Sequence, residues 1–163
     1  LHASHRIPSL DYENLIRLTA NLTQARHEVE RMVRLMIFNV KAGNRDDHSK
    51  NFSFCLDAEQ RWNLSPAYDL TPCPGINGEH CSMVNGKGRD ITDADLIKAA
   101  SVGGVCRQKV KDMIGQVMEQ ALWSISTHWR HVWPDWTCRK QGYFHRRTAR
   151  DISVSDASTA VTD

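Results

Sequence analysis

Between Gly43 and Phe54 the chain reads GNRDDHSKNFSF, which crowds two adjacent acids, a histidine, a lysine and two asparagines into one connection. Glycine and asparagine alone would suffice to turn a chain, so side chains of these types in this order point to chemistry. A carboxylate such as Asp46 can orient a hydroxyl and accept its proton. The side-chain amide of Asn51 and the carboxylate of Asp69, further along in PAYD, are oxygen donors of the kind magnesium takes. His48 or Lys50 can offset negative charge that develops on a group in transfer.

The spacing sharpens this reading. Asp46 and Asn51 stand five positions apart, the interval between the catalytic aspartate and the metal-binding asparagine in the pattern H-R-D-x-x-x-x-N of phosphoryl-transfer enzymes. A lone DxxxxN is common in loops, as is a lone YD. The ordered set of loop, strand pair and proline-flanked YD is less common. NFSFCL alternates, with Phe52, Phe54 and Leu56 on one face, and RWNL alternates again after the turn DAEQ. The pair predicts a β-hairpin that folds the chain back, so that Asn51 before it and Asp69 after it approach each other.

Helices must support that hairpin. SLDYENLIRLTANL predicts a short helix capped by Ser9 or Asp11, with Leu15, Ile16 and Leu18 apolar. Thr23 is the expected N-cap of a second helix ending at Gly43. There Val29, Met32, Val33, Met36, Ile37 and Val40 recur at helical spacing opposite Arg26, Glu30 and Arg34. SPAYDLTPCPG holds three prolines and reads as irregular, with a short strand expected at CSMV. Thr92 opens a third helix with acids in its first turn. A fourth amphipathic pattern runs from Cys106 to His128, its stripe being Val110, Met113, Ile114, Val117, Ala121, Leu122 and Ile125, with Lys109, Lys111 and Glu119 outward. Trp129, Trp133 and Trp136 are expected to cap the core. The fold class is therefore mainly α with a small β-hairpin (α+β). Residues 1–136 form the domain, and 137–163 a basic then polar tail with too little apolar content to order itself.

Composition excludes several classes. A chain of 163 residues suits one domain, and a formal charge of +2 gives no chain-wide field for nucleic acid. No apolar run approaches the about 20 residues of a membrane span, and the opening LHASHRIPSL has no signal-peptide core. Five cysteines without repeated spacing argue for a reducing, cytoplasmic setting. Cys73, His80 and Cys81 lack the paired spacing of a zinc site.

GNRDDHSKNFSF followed by WNLSPAYDL resembles the C-terminal domain of the HipA family of serine/threonine protein kinases, the toxins of bacterial HipBA-type toxin–antitoxin modules. HRIPSLDYENLIRLT, the helix ending in FNV, and GEHCSMVNGKGRDI share the resemblance, which spans about residues 1 to 128. It implies a protein-kinase-like C-lobe with the N-lobe absent, transferring the γ-phosphoryl of ATP to a protein serine or threonine with Mg2+. Asp46 is then the catalytic aspartate, Asn51 and Asp69 the magnesium ligands, and His48, Lys50 and Tyr68 the lining of the nucleotide site. DxHxxN is also similar to the phosphoinositide-kinase loop, which gives His48 the role a lysine has in ordinary protein kinases. The implied partners are a protein substrate such as an aminoacyl-tRNA synthetase, an antitoxin of HipB type, and DNA only through that antitoxin. In place of Phe-Gly after the aspartate, Asp69 is followed by Leu70 and Thr71. Two other readings remain: an inactive remnant serving as an interaction module, and metal-dependent phosphoester hydrolysis by Asp46, Asp47, His48 and Asp69.

Overall fold

A computed structural model describes residues 10–124 of the chain. The expected Ser9 cap, the helical pattern past Ser124, the tryptophan cap at 129–136 and the tail from 137 lie outside the described residues. Among the described residues, four α-helices and two small sheets make an α+β fold, in the order β1 (Leu10–Asp11), α1 (Tyr12–Thr23), α2 (Arg26–Ala42), β2 (Phe54–Leu56), β3 (Trp62–Leu64), β4 (Ser82–Met83), α3 (Asp93–Ser101) and α4 (Arg107–Ser124). None of these helices is long and apolar enough to cross a membrane.

The centre is α2, which packs against α1, α4 and β3. Its whole expected stripe, Val29, Met32, Val33, Met36, Ile37 and Val40, is buried. Tyr12, Leu15 and Ile16 of α1 and Val110, Met113, Ile114 and Val117 of α4 close on it from either side. Gly43 ends α2 in the left-handed conformation, φ 69°, where a side chain would be strained.

The start of α2 differs from expectation. Thr23 is the last residue of α1, Gln24 caps that helix at φ 52°, and Ala25 is the N-cap of α2. The Thr23 hydroxyl explains the difference: it donates to the Thr19 carbonyl at 2.8 Å, one turn back, which keeps Thr23 in the preceding helix.

The hairpin forms in the register Phe54–Leu64, Cys55–Asn63, Leu56–Trp62, though Phe52 lies before the strand. Burial falls off along it: Leu64 is 5% exposed, while Trp62 and Leu56 near the turn are 41% and 51% exposed. Its inner end is clamped to α2 by the buried Glu28, whose Oε2 accepts from the Leu64 amide at 2.8 Å, and by Arg31, which donates to Glu28 at 2.9 Å and to the Leu64 carbonyl at 3.0 Å. The expected strand at CSMV is β4, which pairs in parallel with β1; a two-residue β1 carries no readable alternation.

Thr92 caps α3 in a capping box with Asp95. Burial of the Asp95 carboxyl opposes ionisation, but donors from Thr92, Asn85 and Lys87 overcome it and hold the group well below the usual carboxylate range. Its folded pKa is depressed, so its stabilising contribution is complete above the unfolded value of about 3.9 and is lost as pH falls below it. Asp95→Asn is expected to lower stability at pH 7 by about 1–3 kcal/mol. The gap from wild type should narrow below about pH 4, as urea unfolding at pH 7 and pH 3 would measure; a pH-independent gap would contradict this.

Candidate functional site

The loop after Gly43 is held by backbone pairing. Cys73 donates its amide to the Gly43 carbonyl at 3.0 Å, and the Arg45 carbonyl accepts from the Cys81 amide at 3.1 Å. Segments 43–45, 73 and 81 therefore run side by side and fix where residue 46 begins. A single 3-10 turn, Ser49–Asn51, follows. Phe52 then packs edge-on to the buried Tyr12 ring, with centroids 5.7 Å apart, and the hairpin starts.

The hairpin returns the chain to the loop. The Asn51 side-chain amide donates to Asp69 Oδ2 at 3.2 Å and to the Asp46 carbonyl at 2.9 Å. The Tyr68 hydroxyl donates to the Lys50 carbonyl at 2.6 Å. Asp46, Asn51, Tyr68 and Asp69 are thus brought together, and Lys50 follows through its backbone. His48 Nε2 stands 3.9 Å from Asp46 Oδ1, with the imidazole 22% and the carboxylate 53% exposed. Asp69 is exposed and adopts φ 55°, a left-handed conformation that aspartate tolerates better than most side chains.

Asp47 has the opposite fate. Its side chain is fully buried. Tyr12 donates its hydroxyl to Asp47 Oδ2 at 2.9 Å, His80 Nδ1 lies 3.0 Å from the same oxygen, and the Ser82 amide donates to Oδ1 at 3.2 Å. Those partners occupy the carboxylate, so the hydrolytic cluster of Asp46, Asp47, His48 and Asp69 does not form. Burial first, then the negative Asp47, pushes the Tyr12 hydroxyl well above its ordinary pKa and keeps it a donor.

Sequence reasoning missed this inner layer of Tyr12, Asn39, Asn44, His80 and Ser82. The available signal was a polar residue on an otherwise apolar helix stripe, such as Asn39 between Ile37 and Val40, since a buried polar group requires a partner. Cys81, weighed in the sequence only as a zinc ligand beside Cys73 and His80, instead has its thiol 3.9 Å from Asp46 Oδ1. Burial, then Asp47 and Asp46, pushes that thiol up to about 11, so at neutral pH it is a protonated neighbour of the carboxylate.

No group of three or more His, Cys, Asp or Glu residues that could hold a metal occurs among the described residues. The Asn51 and Asp69 donors nevertheless fit magnesium, which commonly takes one or two protein oxygens and fills its shell with water and phosphate.

A family model described as HipA-like C-terminal domain matches residues 1–125. A search of curated proteins finds no match. Among solved structures, the fold is similar to a chain of the Shewanella oneidensis MR-1 toxin–antitoxin complex of HipA, HipB and operator DNA, at TM-score 0.62 and 18% identity. That match covers 72% of this chain and 28% of the other, so this chain spans little more than a quarter of its length.

Proposed function

The chain belongs to the family of HipA-like C-terminal domains, and from that premise we propose that it is the catalytic lobe of a toxin-type serine/threonine kinase. The reaction is transfer of the γ-phosphoryl of ATP to a protein hydroxyl. The observation that carries this reading is the Asn51 amide, tied at once to the Asp69 carboxylate at 3.2 Å and to the Asp46 backbone at 2.9 Å. One side chain thereby sets the distance between a metal-binding carboxylate and a base.

The roles follow from exposure and chemistry. Asp46, half exposed, accepts the proton of the acceptor hydroxyl and orients it for attack. Asn51 and Asp69 hold Mg2+, which neutralises phosphate charge when bound. His48 and the exposed Lys50 supply positive charge at the phosphates. The Tyr68 ring, 41% exposed while its hydroxyl is held by Lys50, presents a face to the nucleotide. An antitoxin of HipB type is the proposed partner, with DNA reached through it; the support is the composition of the complex in which one chain has a part of similar fold.

Manganese can stand in for magnesium and broadens nearby nuclear resonances. Titrating the labelled chain with Mn2+ and ATP is expected to broaden signals of residues 46–51 and 68–70 first. Asp69→Asn should weaken binding at least about tenfold, since even outer partners of metal ligands are worth that much. Broadening centred elsewhere, or unchanged affinity in Asp69→Asn, would overturn the metal assignment. If the natural gene product bound no nucleotide, the interaction-module reading would replace the kinase.

A further inference from the structure

Asn44 is 2% exposed and lies between the end of α2 and the returning chain. Its side-chain nitrogen donates to Asn39 Oδ1 at 3.1 Å and to the backbone carbonyl of Asp69 at 3.3 Å. Its own Oδ1 is buried with no hydrogen-bond partner among the described residues. Turning the amide over would set that oxygen against two acceptors and lose both bonds, so the orientation is fixed by the donors. The unmatched oxygen accompanies the bond to Asp69.

That bond has a specific consequence. Asp69 is left-handed at φ 55°, a conformation that aspartate tolerates better than most residues with a Cβ and that its hydrogen bonds here favour. Asn44 holds the carbonyl on one side of Asp69, and Asn51 meets the carboxylate at 3.2 Å. Two points on one residue select its backbone conformation. The relay continues inward: Asn39 donates to the Tyr12 hydroxyl at 2.9 Å, and Tyr12 donates to Asp47 at 2.9 Å. Asp47 adjoins Asp46, so the same buried chain of donors locates the loop aspartate and Asp69.

We infer that Asn44 is a positioning residue that sets Asp69 in its metal-binding conformation, acting from beneath the site without touching substrate or ion. This rests on the kinase reading for its purpose, whereas the geometry can be judged alone. Asn44→Leu is close in size and can neither donate nor accept. In labelled wild-type chain, the left-handed Asp69 should give a strong cross-peak between its own amide and α protons, together with one between the Asn51 side-chain amide and the Asp69 β protons. Both should fade in Asn44→Leu while the methyl spectrum of Val29, Val33 and Ile37 is retained, and Mn2+ affinity should fall about tenfold. Should that variant not fold, Asn39→Ala removes the acceptor that fixes the Asn44 amide and is expected to weaken the same two cross-peaks. Wild-type cross-peaks in a folded variant would overturn the inference. Absence of Mn2+ binding in the wild type would instead fail the metal assignment, and the cross-peaks would still decide the role of Asn44.

Discussion

Replacing Asp46 with alanine is expected to lower ATP-dependent protein phosphorylation by the natural gene product by about 10²–10⁴-fold, the usual contribution of a positioned general base. The fold should hardly notice. The Asp46 side chain is 53% exposed, and it approaches Cys81 Sγ and His48 Nε2 at 3.9 Å each. The bond that shapes the loop is accepted by the Asp46 carbonyl, which alanine retains. Exposed substitutions of this kind usually move stability by no more than about 0.5 kcal/mol. The measurement is transfer of labelled phosphate to protein, read beside a thermal melt. Asp46→Asn separates base from spacer: it keeps the shape but accepts no proton at neutral pH, and should be as inactive as alanine. Wild-type turnover in either folded variant would remove Asp46 from the catalytic role.

How much of this arrangement was legible follows from the range over which each signal acts. The α2 stripe was readable because burial of Val29, Met32, Val33, Met36, Ile37 and Val40 repeats at the helical period. The hairpin was readable from alternation on either side of a turn, and it delivers Asp69 to Asn51. The loop residues stood out because their side chains exceed what a turn needs, and the structure brings Asp46, Asn51 and Asp69 together. The inner layer was not. Tyr12, Asn39, Asn44, Asp47, His80 and Ser82 come from four separate stretches and meet only after folding. Tyr12, Asn44 and Ser82 each read alone as ordinary helix or turn residues, Asp47 and His80 drew attention only for metal chemistry, and Asn39 showed only as one polar residue on an apolar stripe. Thr23 failed as a cap for a related reason, since a threonine hydroxyl can serve the helix behind it as well as the one ahead.

Adjacent acids with opposite environments give the second large effect, on stability. Asp47→Ala removes the shared acceptor of the Tyr12 hydroxyl, the Ser82 amide and the neighbouring His80 ring. Each group is buried, so none gains water in exchange, and breaking a buried charged network from one side costs about 3–5 kcal/mol. Total stabilities of domains are about 5–15 kcal/mol. Asp47→Ala is therefore expected to lower Tm by about 10 °C or more, whereas Asp46→Ala, one residue earlier, leaves it nearly unchanged. Tyr12→Phe removes one hydroxyl and strands the Asn39 amide hydrogen, and should cost about 1–3 kcal/mol. Because Tyr12 and Asp47 share a bond, the double variant should lose less than the two singles combined. Additive losses would mean the two residues act separately, and a wild-type Tm in Asp47→Ala would mean that this carboxylate does not support the loop. The two outcomes are separable, since the first tests the bond between them and the second tests what the whole layer holds up.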